Sequence, residues 1–145
     1  MRLAPLLLFA VLPGCSGLGL TCYNGECSEV ALGALLMEPE DGIDFGKVRK
    51  DTEAEPRELV LVADGGRTAL VEVYFDNTSS DAFSLGKLPL PRVLSQEEEF
   101  PVEISFEPYS GGEFNGTLIV HIDGVNGEEE IPVAVQGVGC EGDDC

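Results

Sequence analysis

Hydrophobic and polar residues alternate along most of this chain, in short runs that turn-forming residues separate. Val102, Ile104 and Phe106 alternate with more polar residues, and a period of two recurs in the stretches 117–122 and 131–136. This period places apolar side chains on one face of a β-strand. The predicted strands are Ala34–Glu38, Ile43–Phe45, Arg57–Ala63, Thr68–Phe75, Ala82–Leu85, Glu99–Phe106, Thr117–Ile122 and Glu130–Gln136.

Turn signals between these runs favour an all-β fold. Asp-Gly, Asn-Gly or Gly-Gly pairs separate the runs, and no stretch keeps a helical apolar pattern over about ten residues. The segment 34–139 has the usual size of an immunoglobulin-like domain. We therefore predict an immunoglobulin-like antiparallel β-sandwich of about seven to eight strands. Pro132 implies that the last strand is an edge at that point, or begins there.

Several motifs follow one another in a fixed order between residues 37 and 139. They are Pro39 with Ile43–Val48, then Val102–Pro108, Gly111 or Gly112, Gly116–Leu118 and Val133–Gly139. In this order they resemble the abnormal-spindle/hydin-type immunoglobulin-like domain, called choice-of-anchor D in bacteria and related to the major sperm protein sandwich. The resemblance implies a non-enzymatic interaction module that bacteria place on exported, often anchored, proteins. It implies no shared ligand.

The N-terminal segment has the organisation of a secretory signal. Arg2 precedes an apolar run from Leu3 to Leu12, which is shorter than the about 20 residues of a membrane span. The following Pro13-Gly14-Cys15 completes a sequence that resembles the lipobox of bacterial lipoproteins. That resemblance implies that the Cys15 thiol receives a diacylglyceryl group, that cleavage occurs before Cys15, and that the new N-terminus is acylated. The alternative is an ordinary signal cut elsewhere, with Cys15 incidental.

The other four cysteines form two C-x4-C hexapeptides. The first surrounds Asn24-Gly25, which favours a type I′ turn, and the second surrounds Gly142-Asp143, which suits a type II′ turn. Both turns place the flanking cysteines opposite each other at disulfide distance. We predict the disulfides Cys22–Cys27 and Cys140–Cys145. A four-cysteine zinc site is the alternative, although its usual spacing is shorter and an oxidising compartment favours disulfides.

The charge of the chain limits its partners. Eight Lys and Arg against 27 Asp and Glu give a net charge of −19, which excludes nucleic acid as a natural partner. Dispersed carboxylates serve solubility, and they also suit a basic protein patch, a polycation or calcium. The weak calcium candidates are Asp123, Glu128, Asp143 and Asp144, which lack the EF-hand spacing.

Catalytic groups are sparse. His121, the only histidine, is out of phase with the apolar residues around it and should face solvent. The acidic runs Glu97–Glu99 and Glu128–Glu130 could supply paired carboxylates, but each borders a strand, where charges protect sheet edges. We therefore expect no catalytic residue, no resident metal and no cofactor.

These observations predict four segments: a signal peptide (1–14), a lipidated tether with the Cys22–Cys27 hairpin (15–33), the sandwich (34–139) and a C-terminal disulfide hairpin (140–145). The favoured interpretation is a lipid-anchored interaction or structural module of the bacterial cell envelope. Ser16, after the lipobox cysteine, agrees with the family's sorting rule for the outer membrane. The alternative is a soluble periplasmic or secreted chaperone-like sandwich that binds a peptide strand at its sheet edge. The protein or envelope partner is not readable from the sequence.

Overall fold

The computed structural model of the chain describes residues 19–23, 26–30 and 32–145. Its strands form a two-stranded hairpin and two larger sheets, of five and four strands. The strands are β1 Gly19–Tyr23, β2 Glu26–Val30, β3 Ala34–Glu38, β4 Ile43–Arg49, β5 Arg57–Asp64, β6 Thr68–Phe75, β7 Phe83–Leu85, β8 Arg92–Leu94, β9 Glu99–Phe106, β10 Gly112–Gly124 and β11 Gly127–Cys140. A single 3₁₀ turn, Gly142–Asp144, follows β11.

The two larger sheets pack into the predicted immunoglobulin-like β-sandwich. The five-stranded sheet has the order β4-β11-β10-β6-β8, and the four-stranded sheet has the order β3-β5-β9-β7. All of these neighbours are antiparallel except β4 and β11, which run parallel. The one parallel pair arises because the chain crosses from β3, at the edge of the four-stranded sheet, to β4, which pairs with the last strand of the other sheet.

The core lies between the inner faces of the sheets. Phe106 of β9 is fully buried at its centre. Its ring centroid lies 4.9 Å from that of Phe83, 5.3 Å from that of Phe45 and 5.6 Å from that of Phe114. These rings come from both sheets, so the aromatic cluster holds the two layers together through burial and favourable ring geometry.

The strand predictions match the structure closely in the interior of each strand. The structure extends β4 to Arg49, lengthens β10 and β11 at both ends, and adds the short strand Arg92–Leu94. This added strand follows the proline-rich stretch 88–91. With only three residues, it is too short to show an alternation of apolar and polar residues. Pro132 lies opposite Ile119 of β10, while the pairing of β11 with β4 begins only at Val135. Pro132 therefore has one strand neighbour, as predicted for a residue without an N–H donor.

The sandwich has two distinct ends. At one end the chain enters β3 beside the turn between β10 and β11, where Val125 N donates to the carbonyl oxygen of Gly33 over 3.1 Å. At the other end β11 finishes at Cys140. Since β11 is a 14-residue strand, these ends lie roughly 45 Å apart at about 3.3 Å per residue. Within the residues that the structure describes, no helix is both long and apolar enough to cross a membrane.

Candidate functional site

The outer face of the five-stranded sheet carries the single histidine between two glutamates. His121 of β10 lies opposite Glu72 of β6 on one side and opposite Glu130 of β11 on the other. Directly opposed residues have Cβ atoms about 4.5–5.5 Å apart, so the three side chains form one row across the sheet. His121 is half-buried and both glutamates are exposed. His121 therefore lies on the outer face, as its phase in the sequence predicted.

The next row of this face is apolar and aromatic. It contains Tyr74, Ile119 and Pro132, which lie opposite one another on β6, β10 and β11. The Tyr74 hydroxyl donates to Oε1 of Glu130 over 3.0 Å, and this hydrogen bond raises the pKa of Tyr74. The bond fixes the ring across the boundary between the two rows, so the tyrosine presents a preoriented aromatic surface.

A third row continues the face towards the turn between β10 and β11. Asp123 lies opposite Ala69 on one side and Glu128 on the other, and both acids are exposed. We call the three rows together the acidic face; its members are Ala69, Glu72, Tyr74, Ile119, His121, Asp123, Glu128, Glu130 and Pro132. These rows contain no Lys or Arg, so the face combines an apolar row at one end with negative charge in the two rows beside it.

The calcium candidates divide between the two ends of the sandwich. Asp123 and Glu128 are cross-strand neighbours beside the β10–β11 turn, whereas Asp143 and Asp144 lie in the 3₁₀ turn beyond Cys140. The length of β11 separates the two pairs, so the four residues do not converge on one ion. In the part of the chain that the structure describes, no group of three or more His, Cys, Asp or Glu is arranged to hold a metal.

A shallow hollow opens at the edge formed by β4. The Asp44 carboxylate accepts hydrogen bonds from Gln136 Nε2 over 2.9 Å and from the Gly46 backbone N over 2.8 Å. These bonds, led by that from Gln136, lower the pKa of Asp44. The hollow has a volume of about 240 Å³, below the about 300–1,000 Å³ of most small-molecule sites. Its carboxylate is already occupied by internal donors, which favours a structural role.

The acidic runs that could have supplied paired carboxylates make structural contacts. Glu98 accepts from the Ser95 backbone N over 2.9 Å and pairs with Arg92. The Ser95 bond, followed by the Arg92 contact, lowers the pKa of Glu98. In the other run, Glu130 binds the Tyr74 hydroxyl. The neighbours of His121 across both strand pairs are glutamates rather than Ser or Cys, so no nucleophile–histidine pair forms in the sheet.

The cysteine predictions lie partly within the described residues. A disulfide joins Cys140 to Cys145, with Cα atoms 5.5 Å apart. The loop between them is a 3₁₀ turn rather than the predicted two-residue hairpin. In the first hexapeptide, the register of β1 and β2 places Cys22 directly opposite Cys27. Asn24-Gly25 and Cys15 lie outside the described residues.

The attachment of the N-terminal segment is built from backbone contacts around Gly33. Its N–H donates to the Arg67 carbonyl oxygen over 2.7 Å, and its own carbonyl accepts from the Thr68 hydroxyl over 3.0 Å. A Cβ at Gly33 would lie 2.5 Å from the Asp64 carbonyl oxygen. Only glycine fits this approach, so the start of β3 is locked to the end of the sandwich that carries the β10–β11 turn.

Solved structures with the same fold exist, although the sequences are distant. The chain superposes on an ASH/PapD-like domain of human CEP192 (PapD-like domain 7) with a TM-score of 0.57 and 13% identity, covering 96% of this chain and 100% of that chain. It also matches the Vibrio cholerae VesB protease with a TM-score of 0.54 and 12% identity, over 72% of this chain and 31% of that chain. A third similar structure is WR4, a C. elegans MSP family member, at a TM-score of 0.47 and 10% identity, over 73% of this chain and 97% of that chain.

The two likenesses with TM-scores above 0.5 support the fold and show nothing finer. The chain spans about a third of the VesB chain, so the protease named there is not a guide to this protein. No family model matches the sequence, and no curated protein matches it either. The chain is an all-β, immunoglobulin-like sandwich, and its fold is similar to that of a solved PapD-like domain.

Proposed function

We propose that this chain is a lipid-anchored, non-catalytic protein-binding module of the bacterial cell envelope. The anchor is an acylated Cys15, and the membrane is the outer membrane. The anchor rests on the apolar run Leu3–Leu12 and on the lipobox-like residues that end at Cys15. The proposal that the module binds a protein, and does not catalyse a reaction, rests on the composition of the acidic face.

The acidic face is the observation that carries the binding proposal. Tyr74, Ile119 and Pro132 supply an apolar row, and the acids of the two rows beside it have no cation in the same rows. Tyrosine is enriched at protein interfaces, and complementary charge gives specificity and a fast encounter. The fitting partner is a protein surface that carries Lys or Arg beside an apolar patch.

The geometry of the sandwich supports an anchored arrangement. The tether that begins at Cys15 reaches the sandwich at Gly33, whereas the Cys140–Cys145 disulfide closes the opposite end. An anchor at Cys15 would leave the far end and both sheet faces accessible to proteins in the surrounding compartment.

A cysteine substitution in the full precursor tests the anchor. Wild-type protein should fractionate with membranes and incorporate labelled palmitate, and Cys15→Ala should lose both properties because the thiol that carries the lipid is gone. The matched control is the double variant Cys140→Ala/Cys145→Ala, which should remain in the membrane fraction. A Cys15→Ala protein that keeps its label and its membrane association would overturn the anchor.

Charge reversal tests the acidic face separately. In cells of the source organism, chemical cross-linking of the anchored protein should recover a basic partner from wild type. The variant Glu72→Lys/Glu130→Lys should lose that adduct through charge repulsion. The control is Glu58→Lys/Glu103→Lys, because Glu58 and Glu103 are also exposed cross-strand neighbours, on the other sheet. Equal loss in both variants would assign the effect to net charge rather than to this face.

A further inference from the structure

The sandwich has four sheet edges, and one of them lacks the usual protection. The edges β7 and β8 are three residues long. The edge β4 carries Asp44, Lys47 and Arg49, and its register shifts next to Gly46. Short strands, charges and irregularities all discourage pairing with another chain. The edge β3, Ala34–Glu38, has five residues, regular register and no charge before Glu38.

Around Leu36 the surface beside β3 is apolar up to the free edge, and the exposed acids Glu38, Asp64 and Glu99 border it. Leu36 is 50% exposed on the outer face of the four-stranded sheet. It lies opposite half-buried Val62 of β5, and half-buried Val60 and exposed Pro101 continue the same face. Within the described part of the chain, β3 pairs with β5 on one side only. The other side of β3 is an open sheet edge. Exposed apolar strips on open edges indicate interaction sites.

We propose that β3 pairs antiparallel with β3 of a second copy of this chain, across a two-fold axis at Leu36. The pairing joins the two four-stranded sheets into one continuous sheet. Leu36 then contacts Leu36 of the second copy on the outer face, with Val62 of each copy beside them. Leu35 and Met37, which pack against the core of their own copy, pair with each other across the axis.

The sequence of β3 is self-complementary in this register, which is what a two-fold contact requires. A register is allowed only if outward-facing residues lie opposite outward-facing residues, because a one-residue slip reverses every side chain. Among the allowed registers, the one centred on Leu36 pairs the whole strand. It sets Glu38 opposite Ala34 of the second copy, so the two Glu38 carboxylates do not meet. The five-residue overlap is small beside the about 1,600 Å² of a standard interface, so the dimer forms in a concentration-dependent way.

Site-specific cross-linking of the full chain tests this pairing. Leu36→Cys, treated with a short bis-maleimide, should give a covalent dimer because the axis brings the two thiols together. The matched control is Val93→Cys, which is 55% exposed on the edge strand β8 and should give dimer only at the background of random collision. At equal concentration we expect the Leu36→Cys dimer to form at least about tenfold faster, because the pairing holds the two thiols close together.

Sedimentation of wild type and of Leu36→Lys provides the independent measurement. Wild type should show a concentration-dependent monomer–dimer equilibrium, and Leu36→Lys should remain monomeric because it places two like charges at the axis. Equal cross-linking of the two cysteine variants, or a wild type that stays monomeric at its highest soluble concentration, would overturn the proposal. Cross-linking of Leu36→Cys to a different polypeptide would also overturn it, in favour of a heterologous strand. Neither experiment depends on lipidation of Cys15. The proposed lipid anchor and the proposed β3 pairing can therefore be refuted independently.

Discussion

Gly137 of β11 lies directly against the ring of Phe106, such that a Cβ at position 137 would come within 2.5 Å of Cε1 of that ring. The contact joins the last strand of one sheet to the central aromatic residue of the other. The absence of a side chain at 137 therefore sets how closely the two sheets approach at the aromatic cluster.

Gly137→Ala should lower the free energy of unfolding by about 1–3 kcal/mol, because the added methyl overpacks a close-packed core. The measurement is urea unfolding followed by circular dichroism. Gly86→Ala is the control, since its nearest neighbour for an added Cβ is 3.7 Å away, and it should change stability by less than about 0.5 kcal/mol. Equal stability of Gly137→Ala and wild type would show that the sheets adjust without cost.

Thr68→Val should loosen the start of β3. Thr68 is fully buried, and its hydroxyl donates to the Gly33 carbonyl oxygen. Valine keeps the shape but removes the donor. The Gly33 carbonyl keeps its hydrogen bond from Val125 N, so we expect the loss of one hydrogen bond to cost about 0.5–1.5 kcal/mol. Amide hydrogen exchange should accelerate over residues 34–36 while the core of β10 keeps its protection. Unchanged exchange at β3 would mean that the backbone bonds of Gly33 suffice to hold the strand.

Acidification should remove the contribution of Asp76 to stability. Its carboxylate accepts from the Ser79 hydroxyl over 2.7 Å and from Thr78, and the Ser79 bond is the first cause of its lowered pKa. A depressed folded-state pKa stabilises the fold above the unfolded value of 3.8, and this stabilisation is lost as pH falls through the folded pKa.

The Asp76→Asn variant isolates this effect from the general titration of a highly acidic chain. Wild type should melt at a higher temperature than Asp76→Asn at pH 7, and the difference should shrink steadily below about pH 4. Asp81→Asn, at an exposed acid of the same loop, is the control for removal of one charge. A difference that stays constant down to pH 2 would contradict the assignment.

Reduction of the Cys140–Cys145 disulfide should destabilise the sandwich only modestly. The bridge has a sequence separation of 5, and closing so short a loop contributes roughly 2 kcal/mol at most in the chain-entropy model. Cys140→Ser/Cys145→Ser should therefore unfold cooperatively at a slightly lower urea concentration, with an unchanged denaturant slope. Loss of the cooperative transition would mean that the bridge is required for folding itself.

The strands of the sandwich could be predicted from the sequence, because the alternation of apolar and polar residues indicates which face of each strand is buried. Val102, Ile104 and Phe106 alternate and are all fully buried. Alternation does not record which strand lies beside which, so the parallel pairing of β4 with β11 and the open edge of β3 emerge only from the tertiary structure. The rows of the acidic face depend on the same cross-strand register. His121 could be placed on the outer face from its phase, whereas its two glutamate neighbours could not.

The most direct test of the central claim is the intact mass of the mature protein after extraction from membranes with detergent. The account predicts a chain that begins at Cys15 and carries the added mass of a diacylglyceryl group on the thiol and an acyl group on the new N-terminus. A mature chain that begins at another residue, with an unmodified Cys15 or without it, would contradict the lipid-anchored account.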